Sequence, residues 1–159
     1  MAHIENEHVG HNWEEIENLI RAAELTGMTP LFRCEQTFDG QPPVNQIIKA
    51  LKCGAQIIMV PQVDSAETAK KIVKAAKFPP IGKRGISTAD RSSTEIFPNL
   101  SVPDIDCVEF AKELNDEIML WAIIECPEGV KNIESILDVD GIDAVGFGHQ
   151  DYAVSSGFP

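Results

Sequence analysis

The sequence predicts an α/β protein in which parallel strands are covered by helices. Two observations support this fold class: short apolar segments alternate with amphipathic helices, and those short segments are apolar at successive positions. Strands of that kind are buried on both faces, which is typical of the parallel sheets in barrels and in doubly wound folds. Both architectures bind ligands at the carboxyl ends of their strands, so we expect functional residues there.

Three helices are predicted in the first half of the chain from apolar residues three and four positions apart. Gly27 stops the first helix, 13–26, whose apolar face holds Trp13, Ile16, Leu19, Ile20 and Ala23. The second helix lies in the segment 42–54, after two prolines, and ends at Gly54. The third, 66–77, is capped by Asp64 or Ser65 and turns its lysines towards water: Lys70, Lys71, Lys74 and Lys77.

Strands and further helices follow from shorter signals. Apolar runs predict strands at 29–33, 55–61, 118–125 and 143–147. Helical spacing returns at 104–116 and near 128–138. Between them, 78–101 is a Pro, Gly and Ser-rich connection, and loops of that length in a compact domain are usually functional or disordered.

Composition predicts one domain, 1–159, with a core of its own, because 43% of the 159 residues are hydrophobic. A formal net charge of −12 makes nucleic acid and anionic membrane surfaces improbable partners. The four cysteines are far apart, no signal peptide is recognisable, and no apolar run approaches the roughly 20 residues that span a bilayer. We therefore expect a cytoplasmic protein that is not inserted in a membrane.

Charged residues stand at or just after the ends of three predicted strands. Arg33 ends one strand, Glu125 ends another, and Asp151 lies in a loop just beyond a third. Two carboxylates with open positions for water and substrate suit Mg²⁺ or Mn²⁺ better than a softer metal. Taken singly, each acid is more often a helix cap or a solvated loop residue, so the spacing alone leaves both interpretations open.

Histidines and lysines raise two alternatives. His3, His8 and His11 are close enough in sequence to suggest a zinc site, although a helix start rich in Glu and His is more often simply polar. His149, next to the Asp151 loop, either donates to a substrate or occupies a surface loop. A Schiff-base mechanism needs a lysine in an apolar pocket, whereas the lysines here lie on a polar helix face or in loops, which favours a metal mechanism.

One long block resembles a known family. The stretch "GAQIIMVPQVDSAETAKKIVKAAKFPPIGKRGI", 54–86, is similar to the signature of class II pyruvate-dependent aldolases in the HpcH/HpaI aldolase/citrate lyase family, which includes 2-keto-3-deoxy acid and 4-hydroxy-2-oxo acid aldolases. The segments "EHV", "LFRC", "IIECPEGVKNIESIL" and "GIDAVGFGHQDYAVSSG" occur in the family's order. The resemblance covers essentially the whole chain.

The resemblance implies a (β/α)₈ TIM-type barrel with a divalent ion, Mg²⁺ or Mn²⁺. Glu125 and Asp151 match the metal-binding carboxylates of the family, and Arg33 matches the arginine near the keto oxygen. A metal and a fixed positive charge are what an enolate needs, because carbon acids beside a ketone are too weak to ionise at neutral pH. His8 matches the histidine of the D-x-E-H motif, which moves protons, and Glu5 stands in the place of the motif's first acid.

Two more segments contain candidate residues for binding the substrate or supporting the active site. The loop containing Gly148, His149 and Gln150 is a candidate for binding the substrate carboxylate, if a helix begins near Tyr152 and presents free backbone N–H groups. Arg84, in "PPIGKRGI", matches a family loop near the mouth of the active site and is a supporting residue.

Length separates this chain from a full barrel. A barrel of this type needs about 250 residues, and by the motif count about four of the eight strand-helix units are present here. Open sheet edges must be paired or covered. The sequence is therefore consistent with a fragment of a barrel, with a short protein that completes its barrel by association, or with a different, partial architecture, and we expect a homo-oligomer.

Three functions are consistent with the sequence. The first is metal-dependent, reversible aldol cleavage of a 4-hydroxy-2-oxo acid to pyruvate and an aldehyde, which makes these small molecules the partners. The second is other metal-assisted carbon-carbon chemistry, such as oxaloacetate decarboxylation or a citrate-forming condensation. The third is a catalytically inactive half-barrel that acts as a binding module.

Overall fold

The fold is built on one parallel sheet, as the sequence predicted. The structure is a computed structural model that describes residues 1–87, 90–91 and 106–158. Its five strands are β1 Ala2–Glu5, β2 Pro30–Arg33, β3 Ile57–Val60, β4 Met119–Ile124 and β5 Ala144–Phe147. They are hydrogen-bonded in sequence order, and every pair is parallel. All five carboxyl ends therefore lie at the same edge of the sheet.

Helices follow the strands along the chain. They are α1 Trp13–Leu25, α2 Val44–Lys52, α3 Ala66–Ala76, α4 Cys107–Glu117, α5 Pro127–Lys131, α6 Ile133–Leu137 and α7 His149–Ser156. Asn12 caps α1 in a capping box with Glu15. Of the two caps proposed for the third helix, Ser65 is the one that accepts from a first-turn N–H, that of Thr68.

Adjacent rows of the sheet point to opposite faces. One row is aligned across the sheet and buried in the main core, against the helices: Ile4, Phe32, Ile58 and Leu120. Side chains of successive strand residues alternate between faces. The next row, which holds Glu5, Arg33, Met59, Trp121 and Ala144, is therefore on the face away from those helices.

Strand β1 and a break between two short helices are not predicted by the sequence pattern. Strand β1 has the sequence AHIE, which is too short and too polar to give an apolar strand signal, and only its pairing with β2 defines it. Among the described residues, the sheet thus has five strands rather than the four predicted. The helix predicted near 128–138 is two short helices that meet at Asn132.

Lys77 corrects another expectation, because it does not face water. It is 5% exposed, and its Nζ donates to the backbone oxygens of Asn115 and Ile118, each at 2.6 Å. Helix α3 ends at Ala76, and Lys77 has an extended backbone, so its side chain leaves the polar face formed by the lysines before it. Burial lowers the pKa of this ammonium group.

Part of the predicted long connection, 78–101, lies outside the described residues, which include it only at 78–87 and 90–91. The start of the helix predicted at 104–116 also lies outside them, and α4 is described from Cys107. Within the described part of the chain, no helix is long and apolar enough to cross a membrane.

Gly141 tests how the turn before β5 packs against α3. Its φ is +95°, and a Cβ placed there would lie 2.9 Å from Val73 Cγ1. We expect Gly141→Ala to lower the free energy of unfolding by about 1–3 kcal/mol, because the backbone is strained for an L residue and the contact is too close. Urea denaturation measures the change.

Gly10→Ala is the matched control, since a Cβ at Gly10 would meet nothing within 4 Å. We expect it to stay within about 0.5 kcal/mol of the wild type. Equal effects of the two substitutions would contradict this account of Gly141.

Candidate functional site

Arg33, the last residue of β2, lies among three carboxylates. Its guanidinium is 3.3 Å from Glu5 Oε2 and 3.7 Å from Glu125 Oε1, and it makes a closer ion pair with Glu7. These partners come from β1, the segment after β1, and the end of β4. The carboxyl edge of the sheet thus brings together side chains that are far apart in sequence.

Glu125 is fixed by backbone groups from two neighbouring segments. It is 2% exposed, and its Oε2 accepts from the backbone N–H of Gln62 at 3.0 Å. On the other side, a Cβ placed on Gly148 would lie only 2.1 Å from Glu125 Oε1, so only glycine permits this approach. Burial raises the pKa of Glu125, and the charge of Asp151 raises it further.

Glu7 belongs to this cluster although the sequence analysis did not single it out. Its side chain is 6% exposed and pairs with Arg33. Burial raises the pKa of Glu7, Arg33 opposes that effect, and the charge of Glu125 adds to it. The signal available in the sequence was the D-x-E-H motif, whose third position is Glu7.

His8 is near the cluster but exposed. Its Nε2 is 3.4 Å from Glu7 Oε2, with 63% of the side chain accessible. His3 and His11 each approach a different glutamate, Glu5 and Glu15, at 3.7 Å. Among the described residues, no three His, Cys, Asp or Glu side chains are grouped closely enough to hold a metal ion by themselves. The zinc alternative therefore gains no support from the positions of the histidines.

The expected loop at Asp151 is the first turn of α7. This helix begins at His149 rather than near Tyr152, so His149, Gln150 and Asp151 are helical and exposed. Gly148 is the N-cap and supplies no side-chain cap. The helix is joined to the end of β4 by Ser155, whose Oγ donates to the Glu125 backbone oxygen at 3.1 Å.

Arg84 lies elsewhere. It is 2% exposed, its guanidinium carbon is 4.5 Å from the Phe78 ring centre, and its backbone N–H donates to Lys77 O at 3.0 Å. Lys77 in turn binds the residue that precedes β4, so this segment is at the amino-terminal edge of the sheet. Burial lowers the pKa of Arg84 to about 10. The structure thus gathers Glu5, Arg33 and Glu125, and does not bring Arg84 to them.

Lys77 is the buried lysine that a Schiff-base mechanism would require, but it is also at the amino-terminal edge. Its two hydrogen bonds go to backbone carbonyls beside β4. A lysine that serves as a nucleophile needs a free amine near the substrate. The location of Lys77 therefore agrees with the preference for a metal mechanism.

Comparison with known proteins places this cluster in a family context. The model of the HpcH/HpaI aldolase/citrate lyase family matches residues 14–159. The chain belongs to this family. Among curated relatives, the 2-keto-3-deoxy-L-rhamnonate aldolase of Escherichia coli (strain K12) is 30% identical over 158 residues, which are 98% of this chain and 54% of the relative. The 4-hydroxy-2-oxovalerate aldolase of Novosphingobium aromaticivorans is 33% identical over 159 residues, covering 93% of this chain and 56% of the relative.

Solved structures support the same family assignment. An HpcH/HpaI aldolase from Desulfitobacterium hafniense DCB-2 superposes with a TM-score of 0.82 at 34% identity, over 98% of this chain and 55% of its own. The citrate synthase SbnG gives a TM-score of 0.79 at 33% identity, over 99% of this chain and 55% of its own. This chain thus spans about half the length of the family members it matches, and its five-stranded sheet is part of a TIM-type barrel.

Glu7 gives a pH test of the cluster. Because its pKa is raised in the folded state, the folded protein binds a proton that the unfolded chain releases at lower pH. The free energy of unfolding should therefore fall as pH rises above 4.5 and through the raised, folded pKa of Glu7. We expect Glu7→Gln to lose this part of the slope. Urea denaturation across that range, with a chelator present, measures it.

The control is Glu14→Gln, which changes an exposed glutamate on α1. It should keep the wild-type slope. If Glu7→Gln also kept that slope, the assignment of a proton-binding, buried Glu7 would be wrong.

Proposed function

We propose that the chain catalyses metal-dependent, reversible aldol cleavage of a 4-hydroxy-2-oxo acid to pyruvate and an aldehyde. The observation that carries this proposal is the cluster at the carboxyl edge, where Arg33 meets Glu5, Glu7 and Glu125. Both similar curated proteins named above are aldolases, which supports the reaction class. Since this chain spans about half of each, the activity is a proposal for the chain as it stands.

A divalent ion fits the charge of this site. Three carboxylates surround Arg33, and the exposed carboxylate of Asp151 lies near enough to raise the pKa of Glu125. The single positive charge of Arg33 does not balance the negative charges of these four carboxylates. Burying unbalanced charge is costly, so a bound cation would stabilise the cluster. Glu125 and Asp151 would hold the ion, with water and substrate in the other positions, a ligand set that suits Mg²⁺ or Mn²⁺. When bound, the ion would supply Lewis acidity towards the keto oxygen.

Arg33 would stabilise the oxygen on which negative charge develops. Its side chain is 17% exposed and is already held by three carboxylates, so little reorganisation is needed when substrate binds. A preorganised donor in a site shielded from water is one of the most effective forms of transition-state stabilisation. Glu5 would be a supporting residue, because its contact is with Arg33.

His8 would carry protons between the aldol hydroxyl and solvent. Its exposed imidazole can exchange with water, and the nearby Glu7 carboxylate can hold one ring nitrogen in place. The substrate carboxylate would lie at the start of α7. The first backbone N–H groups of α7, which follow Gly148, have no side-chain cap. These N–H groups, with the side chains of His149 and Gln150, would bind the substrate carboxylate.

A second candidate is carbon-carbon chemistry on another oxo acid, either oxaloacetate decarboxylation or a citrate-forming condensation. The specific observation in its favour is that one of the similar solved structures is a citrate synthase. The same cation and carboxylates would serve either reaction. Pyruvate release from oxaloacetate, compared with release from 4-hydroxy-2-oxo acids, separates the candidates. The cytoplasmic location and the homo-oligomer remain predictions from the sequence.

Removal of one carboxylate tests the metal site. We expect Glu125→Gln to weaken Mn²⁺ binding by about 10²-fold or more, because the ion loses a charged ligand. Pyruvate release from a panel of 4-hydroxy-2-oxo acids, followed by coupling to lactate dehydrogenase, should fall by at least as much. Mn²⁺ affinity is read separately by electron paramagnetic resonance.

Glu14→Gln again serves as the matched control and should keep both signals. A folded wild-type sample that binds no Mn²⁺ and releases no pyruvate, with or without added metal, would overturn the proposal. That outcome would favour the inactive binding module.

Arg33→Lys separates charge from geometry. Lysine keeps the positive charge but loses the planar fork that contacts several carboxylates at once. We expect kcat to fall by about 10²–10³-fold with a smaller change in Mn²⁺ affinity. Steady-state kinetics at saturating metal give the result. An unchanged kcat would exclude a direct part for the guanidinium.

A further inference from the structure

A cavity of about 670 Å³ lies on the helix side of the fold, away from the carboxylate cluster. Its walls come from α3, from the segment 80–83, and from the end of α6 with the turn that follows it. The turn leads into the amino end of β5, whereas the candidate active site is at the carboxyl ends. We call it the basic cavity, after the three lysines that line it: Lys70, Lys74 and Lys83.

The walls of the basic cavity are held by close backbone contacts. A Cβ on Gly82 would lie 2.0 Å from Lys77 O, so the segment 80–83 is pressed against the end of α3. The backbone N–H of Lys83 donates to Lys74 O at 2.8 Å. On the other side, Gly141 is in close contact with Val73 of α3. The concave shape is therefore built into the fold and needs no ligand to form.

Three lysines from two segments line the basic cavity. Within the described part of the chain, the side chains of Lys70, Lys74 and Lys83 have no hydrogen bond and no ion pair. Lysines along one helix face are usually just solvated, but Lys83 comes from a different segment and faces the same cavity. Three lysines against two aspartates give the lining a small net positive charge, which favours an anion in a chain with 25 acidic and 13 basic residues.

The opposite wall of the basic cavity carries hydrogen-bond acceptors. Asp138 and Asp140 line it, and both are exposed. Ser135 lies beside them and donates its hydroxyl to Asn132 O at 2.8 Å, which leaves its oxygen lone pairs as acceptors. A carboxylate can accept from ribose hydroxyls, as one does in dinucleotide-binding folds. Buried Val73 and Val139 provide an apolar floor between the two walls.

We propose that the basic cavity binds a phosphorylated sugar, free or as part of a nucleotide, with the phosphate on Lys70, Lys74 and Lys83 and the hydroxyls on Asp138 and Asp140. Lysine is a common phosphate ligand that acts as a point charge with three donors. The volume is within the range of small-molecule sites and is sufficient for a nucleotide. This site is independent of the proposed aldol chemistry and uses none of its residues.

Calorimetric titration with ribose 5-phosphate, AMP and inorganic phosphate tests the proposal. We expect ribose 5-phosphate to bind more tightly than inorganic phosphate, and binding to weaken as salt is raised. Lys74→Met and Lys83→Met should each weaken ribose 5-phosphate binding by about tenfold. Lys52→Met, which removes an exposed lysine at the end of α2, is the matched control and should change it less than about twofold.

Asp140→Asn tests the acceptor wall separately. It should weaken ribose 5-phosphate binding while leaving inorganic phosphate binding equal or tighter, because it removes a carboxylate that repels the anion. Tighter binding of AMP than of ribose 5-phosphate would identify a nucleotide as the ligand. Equal binding would identify the sugar phosphate itself.

The proposal is overturned if ribose 5-phosphate and AMP do not bind to the folded wild type, or if Lys52→Met weakens binding as much as the cavity variants do. Equal affinity for inorganic phosphate and ribose 5-phosphate would exclude the sugar part. Glu125→Gln should retain full binding. Loss of aldol activity and loss of ribose 5-phosphate binding can therefore be told apart.

Discussion

The carboxyl edge of the sheet depends on the ion pairs of one guanidinium. Arg33 contacts Glu5, Glu7 and Glu125, two of which are almost completely buried at the side chain. Removing the partner of a buried charge typically costs about 3–5 kcal/mol. Arg33 reaches all three only because β1 and β4 end at the same edge as β2, so the parallel order of the strands is what makes this arrangement possible.

Backbone groups of neighbouring segments fix the position of the Glu125 carboxylate. Glu125 accepts from Gln62 in the segment after β3, and Gly148 after β5 comes closer to it than any other residue type would allow. Strands on both sides of β4 therefore shape the site. The backbone contacts therefore fix the position of a carboxylate whose pKa is raised by its burial.

Charge is distributed unequally between the two ends of the strands. The carboxyl edge has an excess of carboxylates around Arg33, whereas the amino edge contains buried Lys77, buried Arg84 and the lysines of the basic cavity. The aspartates at the amino edge, Asp138 and Asp140, line the basic cavity together with its lysines, so the two ends differ in their number of cations and not in the presence of acids.

The sequence by itself determined the alternation of strands and helices, the family, and the convergence of Arg33 and Glu125, because strand-end residues of a parallel sheet must meet at one edge. Tertiary structure decided what depends on neighbours distant along the chain. Pairing with β2 made a strand of AHIE, contacts with Asn115 and Ile118 buried Lys77, and contact with Arg33 brought Glu7 into the site. Burial and partner choice are properties of packing, which local periodicity does not encode.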